Sequence, residues 1–191
     1  RQKGDRDEAV QRLREALDLE PRNRDILAEM HRLYRDMERF TDLIETIDRE
    51  IDVLMSTARE RAETAEPIEA TAEEAVFGQG EASEFEPEVQ QSERRFQESD
   101  VEAILEMRRQ KGMVLKDQLD RHAEALDEFA EILNWRPGAD EARVAVEGYL
   151  DDRDYGPRAA EILEPIYHLM GRWEDLVDVL DVRLTAAEGD E

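Results

Sequence analysis

The chain of 191 residues contains no cysteine, which excludes disulfides, thiolate nucleophiles, zinc ribbons and iron–sulfur ligation together and leaves the redox compartment open. Lysine is almost absent: Lys3, Lys111 and Lys116 are the only three among 26 bases, and the rest are arginines. Positive charge as a whole is scarce, since 51 acids against 26 bases give a formal net charge of −25. Such a surface repels phosphate backbones and anionic headgroups, so neither nucleic acid nor a membrane is an expected partner. No apolar run approaches the ~20 residues that span a bilayer, and no signal-like apolar core follows the opening Arg1-Gln2-Lys3-Gly4. The expectation is a soluble fragment of a longer protein in the cytoplasm, or in the periplasm if a signal has been removed. Abundant arginine beside abundant carboxylate supplies forked cations able to pair with them, a balance that high-salt adaptation or an arginine-rich codon usage would each produce.

What the sequence does have is helical periodicity nearly everywhere. Val10, Leu13 and Leu17 with Ala9 and Ala16 form one stripe, stopped by Pro21. Ile26, Leu27, Met30, Leu33, Tyr34 and Met37 form a second, and Phe40, Leu43, Ile44, Ile47, Ile51, Leu54 and Ala58 a long third. After a break come Val101, Ile104, Leu105, Val114, Leu115 and Leu119, then Ala125, Leu126, Phe129, Ile132 and Leu133 closed by Pro137. The last three stripes are Ala142, Val146, Tyr149 and Leu150; Ala160, Ile162, Leu163, Ile166 and Tyr167; and Trp173, Leu176, Val177, Leu180 and Leu184. The spacing predicts about eight helices and no strand. Short connections predict antiparallel hairpins.

The break is compositional. From Ala62 to Glu93 there are ten acids and no base, with Ile68, Val76, Phe77, Phe85 and Val89 as the only large apolar residues. Such a stretch buries too little surface to offset its ordering entropy and repels itself, so residues 62–99 are expected to be a mostly disordered acidic insertion, with helical flanks extending into it.

Two internal repeats carry the most specific signal. At an offset of 116, Ala9, Leu13, Ala16, Leu17 and Pro21 overlie Ala125, Phe129, Ile132, Leu133 and Pro137. At an offset of 133, Tyr34, Met37, Arg39, Phe40, Asp42, Leu43, Ile47, Asp48 and Ile51 overlie Tyr167, Met170, Arg172, Trp173, Asp175, Leu176, Leu180, Asp181 and Leu184. The spacing Ala9, Ala16, Pro21 resembles the second helix of a tetratricopeptide (TPR) repeat: alanine lets helices cross closely and proline ends the helix. Leu27, Met30 and Tyr34 are similar to the first helix of such a unit, and Gly112 sits where that helix has its small residue. Two periods of about 34 residues would separate the matched helices by roughly 68, so the observed 116 leaves an excess that the acidic stretch accounts for. Glu50 departs from the pattern, occupying the place of Ala16 one repeat earlier, as does Ile132, and the last three helices leave an odd remainder after pairing. The phrase Gly171-Arg172-Trp173-Glu174-Asp175-Leu176 is similar to ones found in long bacterial TPR-like arrays.

The resemblance implies an all-α fold of antiparallel hairpins stacked as a TPR-like α-solenoid, with TPR-like helices over 1–61 (the first repeat truncated) and 100–187, and a tail at 188–191. It also implies a protein–protein interaction scaffold that takes a partner peptide or domain on its concave face, without turnover or cofactor. The first helices of each unit line that face, and Arg32, Arg35, Arg109 and Lys116 fall between apolar positions there. These four are the candidate partner-binding residues, since a cationic patch in an acidic protein captures carboxylates by charge-assisted bonds. Alternatively they pair with neighbouring acids such as Glu29 or Glu106 at helical spacing. The asparagine and lysine set of carboxylate-clamp TPR proteins is not recognisable.

No chemistry competes strongly. His31, His122 and His168 are isolated from one another and read as surface or groove histidines, and no His-x3-His, phosphate-binding glycine loop or nucleophile elbow is present. Asp151-Asp152-Arg153-Asp154-Tyr155-Gly156 fails as a calcium loop and reads as a turn between helices. Tyr34, Phe40, Phe129, Tyr149, Tyr167 and Trp173 read as core. Two other roles stay open: residues 62–93 as the docking element for a basic partner through Phe77 and Phe85, and an accessory domain of a larger enzyme.

Overall fold

The computed structural model describes residues 2–64 and 96–189. They form eight α-helices and, among the described residues, no strand: α1 (Gln2–Leu19), α2 (Arg24–Asp36), α3 (Phe40–Thr64), α4 (Glu98–Gln118), α5 (His122–Trp135), α6 (Asp140–Glu147), α7 (Gly156–Met170) and α8 (Trp173–Gly189). The fold is all-α. Residues 65–95 of the acidic stretch lie outside the described residues; its expected ends at 62–64 and 98–99 are helical, as parts of α3 and α4.

Each helix packs on its neighbours in sequence, and α5 with α7 is the one substantial contact that skips a helix among those described. That exception follows from α6. The apolar stripe Ala142, Val146, Tyr149, Leu150 predicts a helix through residue 150, but α6 ends at Glu147 and the chain turns through 148–155. The acidic run there is the turn expected, with the Asp152 carboxylate accepting from the backbone N–H of Asp154 (2.8 Å) and Tyr155 (3.0 Å).

The core divides into two buried clusters that meet at α4. One gathers Val10, Leu17, Leu27, Met30, Tyr34, Leu43, Ile47 and Ile51 from α1–α3, with Met107 and Val114 of α4 packed against it. The other gathers Ile44 with Leu105 and Leu115 of α4, then Leu126, Phe129, Leu133, Val146, Leu163, Tyr167 and Val179 from α5–α8. Gly112 is what lets α4 approach α5: a Cβ there would stand 2.8 Å from Cε1 of the buried Phe129 ring.

Buried charge fills the seams. Lys111 of α4 reaches Asp48 of α3 at 2.5 Å and Glu128 of α5 at 2.7 Å, and Arg108 donates to Glu128 at 2.8 Å. Burial works against the Lys111 ammonium, but its hydrogen bonds to Asp48 and Glu128 outweigh this and raise its pKa. Glu50, the residue out of pattern, is buried in α3 and is held by Arg24 at 3.2 Å and by His31 Nδ1 at 3.5 Å. His31 is therefore interior, contrary to the surface reading: the α2–α3 seam needs a polar partner for Glu50, and one turn of α2 supplies it.

Both repeats reappear as backbone geometry. After α1 and after α5 the chain makes the same bonds: Glu20 N–H to Ala16 O (2.9 Å) and Asn23 N–H to Glu20 O (3.1 Å), matched by Arg136 to Ile132 (2.8 Å) and Ala139 to Arg136 (2.9 Å). Between α2 and α3, and between α7 and α8, Arg39 N–H bonds Tyr34 O and Arg172 N–H bonds Tyr167 O, both at 2.9 Å. Glu38 (φ 55°) and Gly171 (φ 67°) hold the left-handed position in the two turns.

Candidate functional site

The four candidate residues divide between two helices. Arg32 and Arg35 lie exposed on α2: Arg32 stands 3.7 Å from Glu29, and Arg35 donates to Gln110 Oε1 of α4 at 3.5 Å. Arg109 and Lys116 lie on α4 and line a groove of about 520 Å³ with Met113 of α4, Phe129 of α5, and Asp140, Glu141, Val144 and Ala145 of α6. The structure thus brings Arg109 and Lys116 together and leaves Arg32 and Arg35 outside the groove.

Helix geometry explains the grouping. Arg109, Met113 and Lys116 recur at spacings of four and three, so they share one face of α4, and Glu141, Val144 and Ala145 face them from α6. The α4–α5 contact at Gly112 sets Phe129 beneath. Met113 and Val144 are exposed. Neither belongs to the apolar stripes read from the sequence. Their position off the stripes was the signal that an apolar surface faces solvent here.

The two groove cations differ in what holds them. Arg109 donates twice to Glu106, both at 2.8 Å, and its Nε lies 3.3 Å from Glu141. The hydrogen bond to Glu106 is the main reason its pKa is raised, and the same bond lowers that of Glu106. Pairing with a neighbouring acid is therefore realised for Arg109. Lys116 has no carboxylate within ion-pair distance among the described residues; its ammonium sits over the Tyr149 ring, 5.1 Å from the centroid. Tyr149 itself packs edge-on to His122 and Tyr155, and its hydroxyl lies 2.9 Å from His122 Nδ1. Burial and then the charge of Asp117 push the Tyr149 phenol up to about 12, so it stays neutral beneath the lysine.

Of the other aromatics read as core, Tyr34, Phe129 and Tyr167 are buried, Phe40 is half-buried, and Trp173 is exposed. On α8 the stripe expected to face inward, Val177, Leu180 and Leu184, faces solvent instead, while Val179 is buried and Leu176 and Val182 are partly so. The helix is apolar on two sides, and spacing alone could not choose between them.

Among the described residues no group of three or more His, Asp or Glu side chains could hold a metal ion, and no helix is long and apolar enough to cross a membrane. The docking element proposed for residues 62–93 lies, from 65 on, outside the described residues. Comparison of the chain with models of protein families, with curated proteins and with solved structures gives no match.

Proposed function

We propose that the chain is a segment of a TPR-like α-solenoid that binds a partner peptide in the groove between α4 and α6. The observation that carries the reading is Lys116, a cation with no carboxylate partner among the described residues and stacked on Tyr149, beside two exposed apolar side chains, Met113 and Val144, over Phe129. An apolar anchor of the peptide would rest on Met113 and Val144, and a carboxylate next to it would take the Lys116 ammonium in a charge-assisted bond. Arg109, already satisfied by Glu106 and Glu141, shapes the rim. The internal repeats and the succession of neighbour-on-neighbour helix contacts support the solenoid arrangement. This reading is of a binding module, with no turnover and no cofactor.

Selection of a random peptide library on the immobilised chain tests it. Selected peptides should share an apolar residue close to Asp or Glu, and Lys116→Glu should weaken their binding by about tenfold or more. Reversing Arg32 and Arg35 together should weaken it far less. Peptides without a shared acidic position, or peptides indifferent to Lys116→Glu, would defeat the proposal.

A further inference from the structure

The hairpins α2–α3 and α7–α8 share a residue pattern and a turn, yet their outer faces meet different surroundings. In α3, Ile44, Ile47 and Ile51 are 6%, 0% and 7% exposed. Ile44 shares a cluster with Leu105 and Leu115 of α4, and Met107 and Val114 of α4 close over the cluster that holds Ile47 and Ile51. Their counterparts in α8, Val177, Leu180 and Leu184, are 56%, 42% and 59% exposed, and Trp173, the counterpart of Phe40, is 60% exposed. Spacings of four, three and four residues put these side chains on a single stripe. A row of large apolar groups in water along three turns is an interaction surface.

Its edge is acidic. Glu174, Asp178 and Asp181 are exposed on α8, and the ion pairs of this region among the described residues run instead from Arg172 to Asp175 and from Arg183 to Glu164. Asp181 is the counterpart of Asp48, the carboxylate that Lys111 of α4 reaches at 2.5 Å. The repeat therefore identifies both halves of what is uncovered on α8, an apolar stripe and an acid awaiting a base.

We propose that the outer face of α8 docks a single amphipathic helix patterned like α4, with aliphatic residues at three-or-four spacing and a lysine or arginine that pairs with Asp181. A second copy of the chain does not offer such a helix at its other end. By the 116-residue offset α1 corresponds to α5, which also packs on α4, and Ala9, Leu13 and Ala16 of α1 are only half-buried. Setting α8 of one copy against α1 of another would join an α3-like face to an α5-like face with the helix between them missing. This surface lies on different helices from the α4–α6 groove and stands or falls separately from it.

The probe is a synthetic peptide of residues 98–118, the α4 sequence, added to the full chain while the emission of Trp173 is followed in a Trp135→Phe background. Saturable binding with a blue shift is expected. Leu180→Asp or Val177→Asp should weaken it by about tenfold or more without altering the circular dichroism. Asp181→Lys should weaken it about two- to fivefold, and a peptide carrying Lys111→Glu should recover the loss. The same helix fused after Glu191 through a flexible linker, which raises its effective concentration, should raise the melting temperature. Absence of both peptide binding and the fusion effect would overturn the proposal, as would binding indifferent to the α8 substitutions. Sedimentation showing a dimer of the chain alone that Leu180→Asp dissolves would overturn it too, because the occupant would then be a second copy.

Discussion

The hairpins α2–α3 and α7–α8 are one design in two settings. In each, a tyrosine near the end of the first helix lies under an arginine from the turn, Arg39 at 5.1 Å from the Tyr34 centroid and Arg172 at 4.7 Å from that of Tyr167. In each, that arginine donates to the aspartate three residues on, Arg39 to Asp42 at 2.7 Å and Arg172 to Asp175 at 2.8 Å. The turn is thus written locally, by residues within about ten positions of one another. The outer face is not: it is buried in α3 and bare in α8 because, among the described residues, a helix is laid over α3 and none over α8. Local pattern decides how a hairpin closes, and tertiary context decides what its second apolar face is worth.

The largest expected effect comes from breaking that second face. Ile47→Ala removes a fully buried side chain and should destabilise the fold by about 2–5 kcal/mol, whereas Leu180→Ala at the matched position should cost under about 1 kcal/mol. Urea unfolding of both variants measures the contrast. Equal losses would mean that the α8 stripe is covered in solution by the chain itself.

A smaller effect separates the two tyrosines, whose hydroxyls have opposite partners. Tyr34 accepts from Arg14 Nε at 3.0 Å, while Tyr167 donates to the carboxylate of Glu147. Burial first, then the hydrogen bond to Glu147, push the Tyr167 phenol up to about 12 from 10.0. The unfolded chain therefore releases this proton before the folded one does. The resulting stability is complete below the unfolded value and is lost as pH rises toward the folded one. Between about pH 8 and about pH 11 the unfolding midpoint of the wild type should fall further than that of Tyr167→Phe; Tyr149, present in both, cancels in the difference. Parallel decline of the two would remove Tyr167 as the cause.

Much of this was legible in the sequence, and the rest failed for identifiable reasons. Helix number, the turn at Asp151–Gly156, the close approach at Gly112 and the two repeats follow from spacing and small residues, which act within one or two turns of helix. The α4–α6 groove was half legible: Arg109 and Lys116 could be placed on a polar face, but Met113 and Val144 count as part of the site only once α6 is known to stand opposite α4. Glu50 stands out in the sequence only as a break in the repeat, and nothing in the spacing marks Glu128 or Lys111, because the partners of each lie on other helices. Arg32 and Arg35 share the polar character of Arg109 but sit on α2, outside the groove. Trp173, Val177, Leu180 and Leu184 form as regular a stripe as the buried one of α3, and periodicity reports which residues share a side, never what lies against it.

The finest comparison is between the two left-handed turn residues, and its effects should be equal and opposite. Glu38 holds φ 55° with a side chain, and Gly171 holds φ 67° without one. A non-glycine residue pays about 1–2 kcal/mol for this backbone conformation, while glycine gives up roughly 0.5–1 kcal/mol of extra chain entropy on folding. Subtracting one from the other leaves a net gain of about 0–1.5 kcal/mol for Glu38→Gly and a similar net loss for Gly171→Ala. Crowding does not disturb the balance at Gly171, where an added Cβ would meet nothing nearer than Trp173 Nε1 at 3.9 Å. Thermal melts of the two single variants and of the double should therefore show opposite shifts that nearly cancel when combined, because the turns lie far enough apart to act independently. Shifts of the same sign would show that the turns, alike in their hydrogen bonds, are held by different forces.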